Sequence, residues 1–236
     1  PSPPRRGMFR MTTIQKAVHQ VISTINYVIQ HPPLRGDLGV LLVLLLFSAC
    51  SKEETEATEW DNWQARNEAF FASLSDSLET APTQWRRIKC FSLDPETEGD
   101  AQDYVYVKVL QSGTGTESPL YTDSVRTVYR GRLIPTATYP EGYVFDETVY
   151  GKFSLATGST SKMLVSATVD GFSTALQQMH RGDYWRVYIP SDLGYGASGS
   201  SSGAVLGYST IVFDLLLVDF SPAGEAMAPW SSRQKH

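Results

Sequence analysis

Cysteine and histidine are scarce in this chain, with 2 and 4 copies among 236 residues. So few cysteines exclude a disulfide-dense scaffold. Beyond residue 49 the only histidines are His180 and the terminal His236, so a histidine metal site or a Ser-His-Asp triad would have to rest on His180 alone. Next to Arg181-Gly182, His180 reads instead as a surface or helix-end residue. Basic charge is also in short supply, and the net charge is −5. Residues 1–49 hold five of the basic side chains (Arg5, Arg6, Arg10, Lys16, Arg35) and one acid, Asp37, which leaves 15 basic against 24 acidic residues in the remainder. A chain of that sign repels phosphate backbones and carries no basic stripe, which argues against nucleic acid as a partner. Long apolar runs are missing as well. Residues 38–47 are apolar and uncharged, but a membrane-spanning helix needs about 20 such residues. What remains, 42% hydrophobic and 11% aromatic residues with 18 Gly and 13 Pro, is an ordinary globular composition at a length that suits one main domain with extensions.

The 38–47 run has the length of a signal-peptide hydrophobic region, with Arg35 before it and Ser48-Ala49-Cys50-Ser51 after it. Small residues just before a cysteine resemble a bacterial lipobox, in which the leader is cut ahead of Cys50 and Cys50 is lipidated. Two or three acyl chains there anchor a protein to a membrane without a spanning helix. The alternative is a buried strand with an incidental cysteine. Residues 1–34 are long for a basic leader region, and Met8 and Met11 are candidate starts. Residues 51–56 form an acidic run that reads as a solvated tether, and it resembles the acidic signals that send some lipoproteins to the outer face of the outer membrane. Cys90 lies in an apolar-rich stretch with no histidine or basic helix end to activate it, and reads as a buried structural thiol. The expected organisation is a leader over 1–49, a tether and amphipathic helix over 50–83, a main domain over 84–223 and a tail over 224–236.

Trp60, Trp63, Phe70, Phe71, Leu74 and Leu78 recur at near-helical spacing, which predicts an amphipathic helix over 58–79 with Thr58 as its cap. Such a stripe packs on its own domain or on a second copy of the chain, which makes a homodimer one reading of this helix. From Gln84 the apolar period changes to two. Strands are expected over 85–93, 104–110, 125–133, 184–189 and 210–220, with a short helix over 172–179 that stops at Gly182. Several antiparallel strands with one short helix indicate an α+β fold, a twisted antiparallel sheet wrapped over that helix. Gly194, Gly196, Gly199 and Gly203, interleaved with serines, look superficially like a phosphate loop. No lysine or helix follows them, so they read as a flexible surface loop.

Aromatic residues stand at strand ends and loops: Tyr129, Phe145, Phe172, Tyr195 and Phe213. Around them lie Val128-Tyr129-Arg130-Gly131, Val144-Phe145-Asp146, the run from Met163 through Val165, Thr168 and Val169 to Phe172, Ala175 to Asp183, Leu193-Gly194-Tyr195-Gly196, and Tyr208 to Asp214. In this order the pieces resemble the FKBP-type peptidyl-prolyl cis-trans isomerases over residues 104–220. The leader and helix are similar to those of envelope lipoprotein members. The resemblance implies a proline pocket built by Tyr129, Phe145, Asp146, Val169, Phe172, Tyr195 and Phe213, with Met163, Val165 and Thr168 beside the substrate and no cofactor or metal. In that scheme the Val169 N–H orients a substrate carbonyl and Tyr195 donates a hydrogen bond, while Asp146 faces the amide or holds Tyr129.

The implied partners are proline-containing unfolded or exported polypeptides, met at the bacterial envelope. Phe172 stands where the family usually has tryptophan, and residues 204–207 replace a proline-containing loop. The stretch 147–162 is longer than in compact members and is expected on the pocket side. These departures keep open a non-catalytic chaperone or binding module on the same fold.

Overall fold

A computed structural model describes residues 58–154 and 158–229, all within the compact unit Ala57–His236. The leader run, Cys50 and the acidic run 51–56 lie outside the described residues. Among the described residues no helix is long and apolar enough to cross a membrane.

The elements are α1 (Trp63–Ala72), α2 (Leu74–Thr80), β1 (Trp85–Lys89), β2 (Tyr104–Gln111), β3 (Ser124–Arg132), β4 (Val144–Glu147), β5 (Ser161–Leu164), α3 (Asp170–Leu176), β6 (Tyr184–Ile189) and β7 (Ile211–Ser221). The strands form one antiparallel sheet in the order β1-β2-β6-β7-β3-β4, with β5 also on β3. The expected α+β architecture is thus present, with α3 packed on one face of the sheet.

Register decides which side chains share that face. Val107 pairs with Val187, Val187 with Phe213, and Trp185 with Leu215. With the period-two alternation of strands, these residues and Val105, Ile189, Ile211 and Leu217 point to the face carrying Phe172, Ala175, Leu176 and Met179. The alternate residues Trp85, Tyr106, Tyr188 and Val212 point the other way and meet Phe71 and Leu74 of the first two helices. Trp85 stacks on Tyr188 at 5.4 Å and Phe71 meets Tyr106 edge-on at 5.2 Å. The apolar stripe of the N-terminal helix is therefore covered by its own domain, and the middle of the sheet is covered on both faces.

That helix differs from its expected form. Thr58 does not cap it: its N–H and hydroxyl both donate to Asp61, closing a separate turn. The helix starts after Asn62, whose φ of 53° is a left-handed conformation that asparagine tolerates better than most residues. It then breaks at Ser73, whose hydroxyl donates to the Phe70 carbonyl. The first strand also ends early: the Cys90 N–H still bonds the Asp103 carbonyl in register at 2.8 Å, but the chain then turns, with the Leu93 N–H donating to the Cys90 carbonyl at 3.1 Å. Cys90 itself is buried, with the Thr174 hydroxyl 3.6 Å from its Sγ.

Candidate active site

A cavity of about 240 Å³ opens on the α3 face of the sheet, lined by Tyr129, Asp146, Met163, Ala167, Thr168, Val169, Phe172, Tyr195 and Phe213. Phe213 is its hub. Its ring meets Phe172 at 4.9 Å, Phe145 at 5.6 Å and Tyr129 at 6.1 Å, and Tyr129 meets Phe172 at 6.3 Å. All four contacts are edge-on, the geometry in which the positive rim of one ring faces the negative face of another. The result is a cup whose walls are aromatic rings.

Each wall comes from a different element, and backbone detail sets its depth. On β3 Tyr129 points inward and so does the position of Gly131, two residues on. A Cβ at Gly131 would come within 2.6 Å of both Phe145 and Phe213, so only glycine lets these rings close together. Behind the opposite wall, Val165 to Ala167 form a single 3-10 turn leading into α3. The Thr168 hydroxyl donates to the Val165 carbonyl at 2.9 Å, and the Ser173 hydroxyl donates to the same carbonyl at 2.8 Å. These bonds fix the turn and leave Val169, with extended backbone (φ −62°, ψ 151°), as the residue that opens the helix. Among the described residues its N–H donates to no protein group, as is usual at a helix start.

The polar groups of the cup are few. The Tyr129 hydroxyl donates to Asp146 at 2.8 Å. Burial, then that hydrogen bond and the Asp146 charge, push the Tyr129 phenol well above the ordinary tyrosine range. Burial, then the Asp146 charge, push the Tyr195 phenol up as well. Both phenols therefore remain protonated donors through neutral pH.

Most of the site residues expected from the sequence meet here. Two do not line the cavity. Val165 is fully buried in the core and serves the turn through its carbonyl. Phe145 braces Phe213 from the side. Ala167 is a lining residue that sequence reasoning missed, because an alanine carries no chemical signal.

The longer 147–162 stretch requires a correction, since its described residues 148–154 do not lie on the pocket side. Arg130 donates to the carbonyls of Val149 and Gly151 at 2.6 Å each, and Phe153 stacks flat on Tyr184 at 4.7 Å and 8°. Tyr184 and Arg130 alternate with Trp185 and Tyr129, so residues 148–154 lie against the face opposite the cup. An interaction on that same face was also missed. Asp214, 2% exposed, accepts from Arg186 Nε at 2.6 Å and from Arg132 at 2.7 Å. A lone carboxylate in the apolar strand 211–218, with arginines spaced two apart on β3, was the available signal.

The sequence model of the FKBP-type peptidyl-prolyl cis-trans isomerase family matches residues 115–218. Residues 115–218 therefore carry an FKBP-type peptidyl-prolyl cis-trans isomerase domain. Three relatives are similar to about half of this chain. The macrophage infectivity potentiator of Trypanosoma cruzi is 33% identical over 116 residues, 49% of this chain and 53% of that protein. The outer membrane protein MIP of Legionella longbeachae is 33% identical over 116 residues, 49% of this chain and 44% of that protein. The FKBP-type 22 kDa peptidyl-prolyl cis-trans isomerase of Escherichia coli is 33% identical over 112 residues, 48% of each. The chain thus spans about half the length of the curated relatives it matches.

Proposed function

We propose that this protein is a peptidyl-prolyl cis-trans isomerase acting on proline-containing segments of unfolded or exported polypeptides. The observation that carries this reading is the aromatic cup with an unused backbone donor, the Val169 N–H, at its edge. Rotation about an Xaa-Pro bond must break amide resonance, with a barrier of about 18–20 kcal/mol and uncatalysed exchange over tens of seconds or longer. No covalent bond is made or broken. The chemical task is to hold the prolyl ring and favour the twisted amide, which is less dipolar than the planar one.

Each part of the cup has a role in that task. Phe172 and Phe213 receive the prolyl ring, with Tyr129 as the third wall, and they displace water from the imide. A polar planar amide loses more by this desolvation than the twisted one, so binding is stronger in the transition state than in the ground state. The Val169 N–H donates to a carbonyl of the substrate backbone and sets its register. The Tyr195 hydroxyl donates to a second carbonyl. Asp146 holds the Tyr129 ring through its hydroxyl. In this reading Phe172 makes a shallower floor than tryptophan and supplies no indole N–H.

Isomerase assays on short Xaa-Pro peptides, by protease coupling or NMR exchange, test the proposal directly. Catalysis by the full chain, abolished when Tyr195→Phe is combined with Asp146→Ala, is the expected result. Unchanged catalysis in that double variant refutes the site. A folded wild-type protein with no rate above background refutes the activity.

The lipobox-like sequence at Cys50 supports attachment to the bacterial cell envelope through lipid, and the relative from Legionella longbeachae bears the name of an outer membrane protein. Metabolic labelling with a radioactive fatty acid is expected to mark the wild-type chain and not Cys50→Ser. Equal labelling of both would dispose of the anchor.

A further inference from the structure

Tyr195 is carried by a connection from β6 to β7, residues 190–210, that is rich in glycine and serine and poor in apolar side chains. Such a segment loses much conformational freedom on being fixed, so something must hold it. Part of the answer is internal. The Gly196 N–H donates to the Ser191 carbonyl at 2.8 Å, Tyr208 N–H donates to the Gly196 carbonyl at 2.9 Å, and Val205 is buried in the core. The base of the loop nevertheless contains Tyr208 at φ 60°, a left-handed conformation in a residue with a Cβ. Strain of that kind persists only where the surroundings over-determine it.

The surroundings here come from α1. The Trp63 Nε1–H donates to the Ser209 hydroxyl at 2.9 Å, and the Thr210 N–H donates to Asn67 Oδ1 at 2.8 Å. The Thr210 hydroxyl reaches the Asn67 carbonyl at 3.4 Å. The other end of the Asn67 amide donates to the Trp63 carbonyl at 2.8 Å, which locks the two helix residues together. Asn67, Ser209 and Thr210 are 1–2% exposed. A buried side-chain amide is costly unless both its ends are bonded, and here both are. The grip falls between two cup residues, linked to Tyr195 through Tyr208 and Gly196 on one side and three residues from Phe213 on the other.

We propose that Asn67 and Trp63, on a helix outside the matched family segment, are positioning residues for the cup, holding the Tyr195 loop in place for peptide binding. This inference rests on the isomerase reading for its catalytic consequence but not for its structural one. The test uses the full chain as wild type, Asn67→Ala and Trp63→Phe; the phenylalanine keeps a ring in the packed position and removes only the indole donor. Amide hydrogen exchange is followed at residues 194–210 and at the paired β2 and β6 strands, alongside kcat and KM on Xaa-Pro peptides.

Loss of a buried hydrogen bond is expected to speed exchange in the loop about tenfold while the strands stay protected. The same variants are expected to raise KM about three- to tenfold with kcat nearly retained, since the loosened rim weakens ground state and transition state alike. Loop exchange unchanged in both variants overturns the proposal. So does exchange that rises equally in the loop and in the strands. If the wild type shows no catalysis and the loop still loosens selectively, the clamp stands and only the isomerase reading falls.

Discussion

On β7 the ring of Phe213 closes the aromatic cup, while the carboxylate of Asp214, one residue later, lies on the opposite face between Arg132 and Arg186. The two faces of the same strands thus carry different work. The α3 face holds rings and a few hydrogen-bond donors around an open cavity. The opposite face holds an ion network, the 148–154 loop and the N-terminal helices, with no lining residue of the cup among them. The contrast teaches that period-two alternation can separate a binding surface from its mechanical support within a single layer. Function and stability should accordingly respond to different substitutions.

The largest effect should come from removing the support. Truncating one member of a buried charge pair leaves its partners uncompensated at a cost of about 3–5 kcal/mol. Arg186 is a third exposed and keeps some access to water, so Asp214→Ala is expected near the lower end, about 3 kcal/mol, by denaturant unfolding. Protein that remains folded should keep its kcat/KM. A loss of activity without a loss of stability would break the division between faces.

Gly131→Ala attacks the other side. The new methyl meets Phe145 and Phe213, so overpacking of about 1–3 kcal/mol is expected together with a marked fall in kcat/KM, because the rings must part. Titration of peptide binding by NMR would show the cup altered while shifts around Asp214 hold. Phe153→Ala should cost about 1 kcal/mol of stability from the lost stack on Tyr184 and leave catalysis unchanged. Altered peptide kinetics in that variant would instead place the loop at the pocket after all.

The smallest expected effect is a pH shift. A phenol with a raised folded-state pKa contributes stability below its unfolded value, near about pH 10, and loses it as pH rises through the higher folded value. For Tyr129 and Tyr195 the alkaline loss of stability and activity is therefore expected above the ordinary tyrosine range. Asp146→Asn removes a negative charge that opposes both phenolates, which lowers their pKa values. The alkaline limb of kcat/KM should move toward pH 10 in that variant, and an unmoved limb would detach Asp146 from Tyr129 and Tyr195.

Much of the cup was legible in the sequence. The rings, Asp146 and Val169 keep a recognisable order along the chain, and β3 and β7, which bear Tyr129 and Phe213, show local period-two patterning, whereas the four-residue β4 that bears Phe145 and Asp146 was not expected as a strand. The helix start was not legible, because Thr58 and Asp61 look like a cap and its partner in sequence but satisfy each other in a turn. The path of 148–154 was hidden for a related reason: Gly151 signals a loop, and nothing local tells a loop which face of a sheet to cross. Val165 looked like a pocket residue by position, yet the 3-10 turn that it opens leaves its side chain in the core.

Local chemistry settled the elements that need only their own neighbours: the apolar alternation of β2, β6 and β7, the presence of the short helix α3, which runs Asp170–Leu176 and ends before Gly182, and the aromatic set that forms the cup. Tertiary structure alone decided the contacts between segments far apart in the chain. Asn67 and Thr210 are 143 residues apart, Arg132 and Asp214 are 82, and no local pattern encodes such pairings. A residue's propensity and period depend on a few neighbours, whereas the partner of a buried polar group depends on which strands and helices are brought together when the whole core closes.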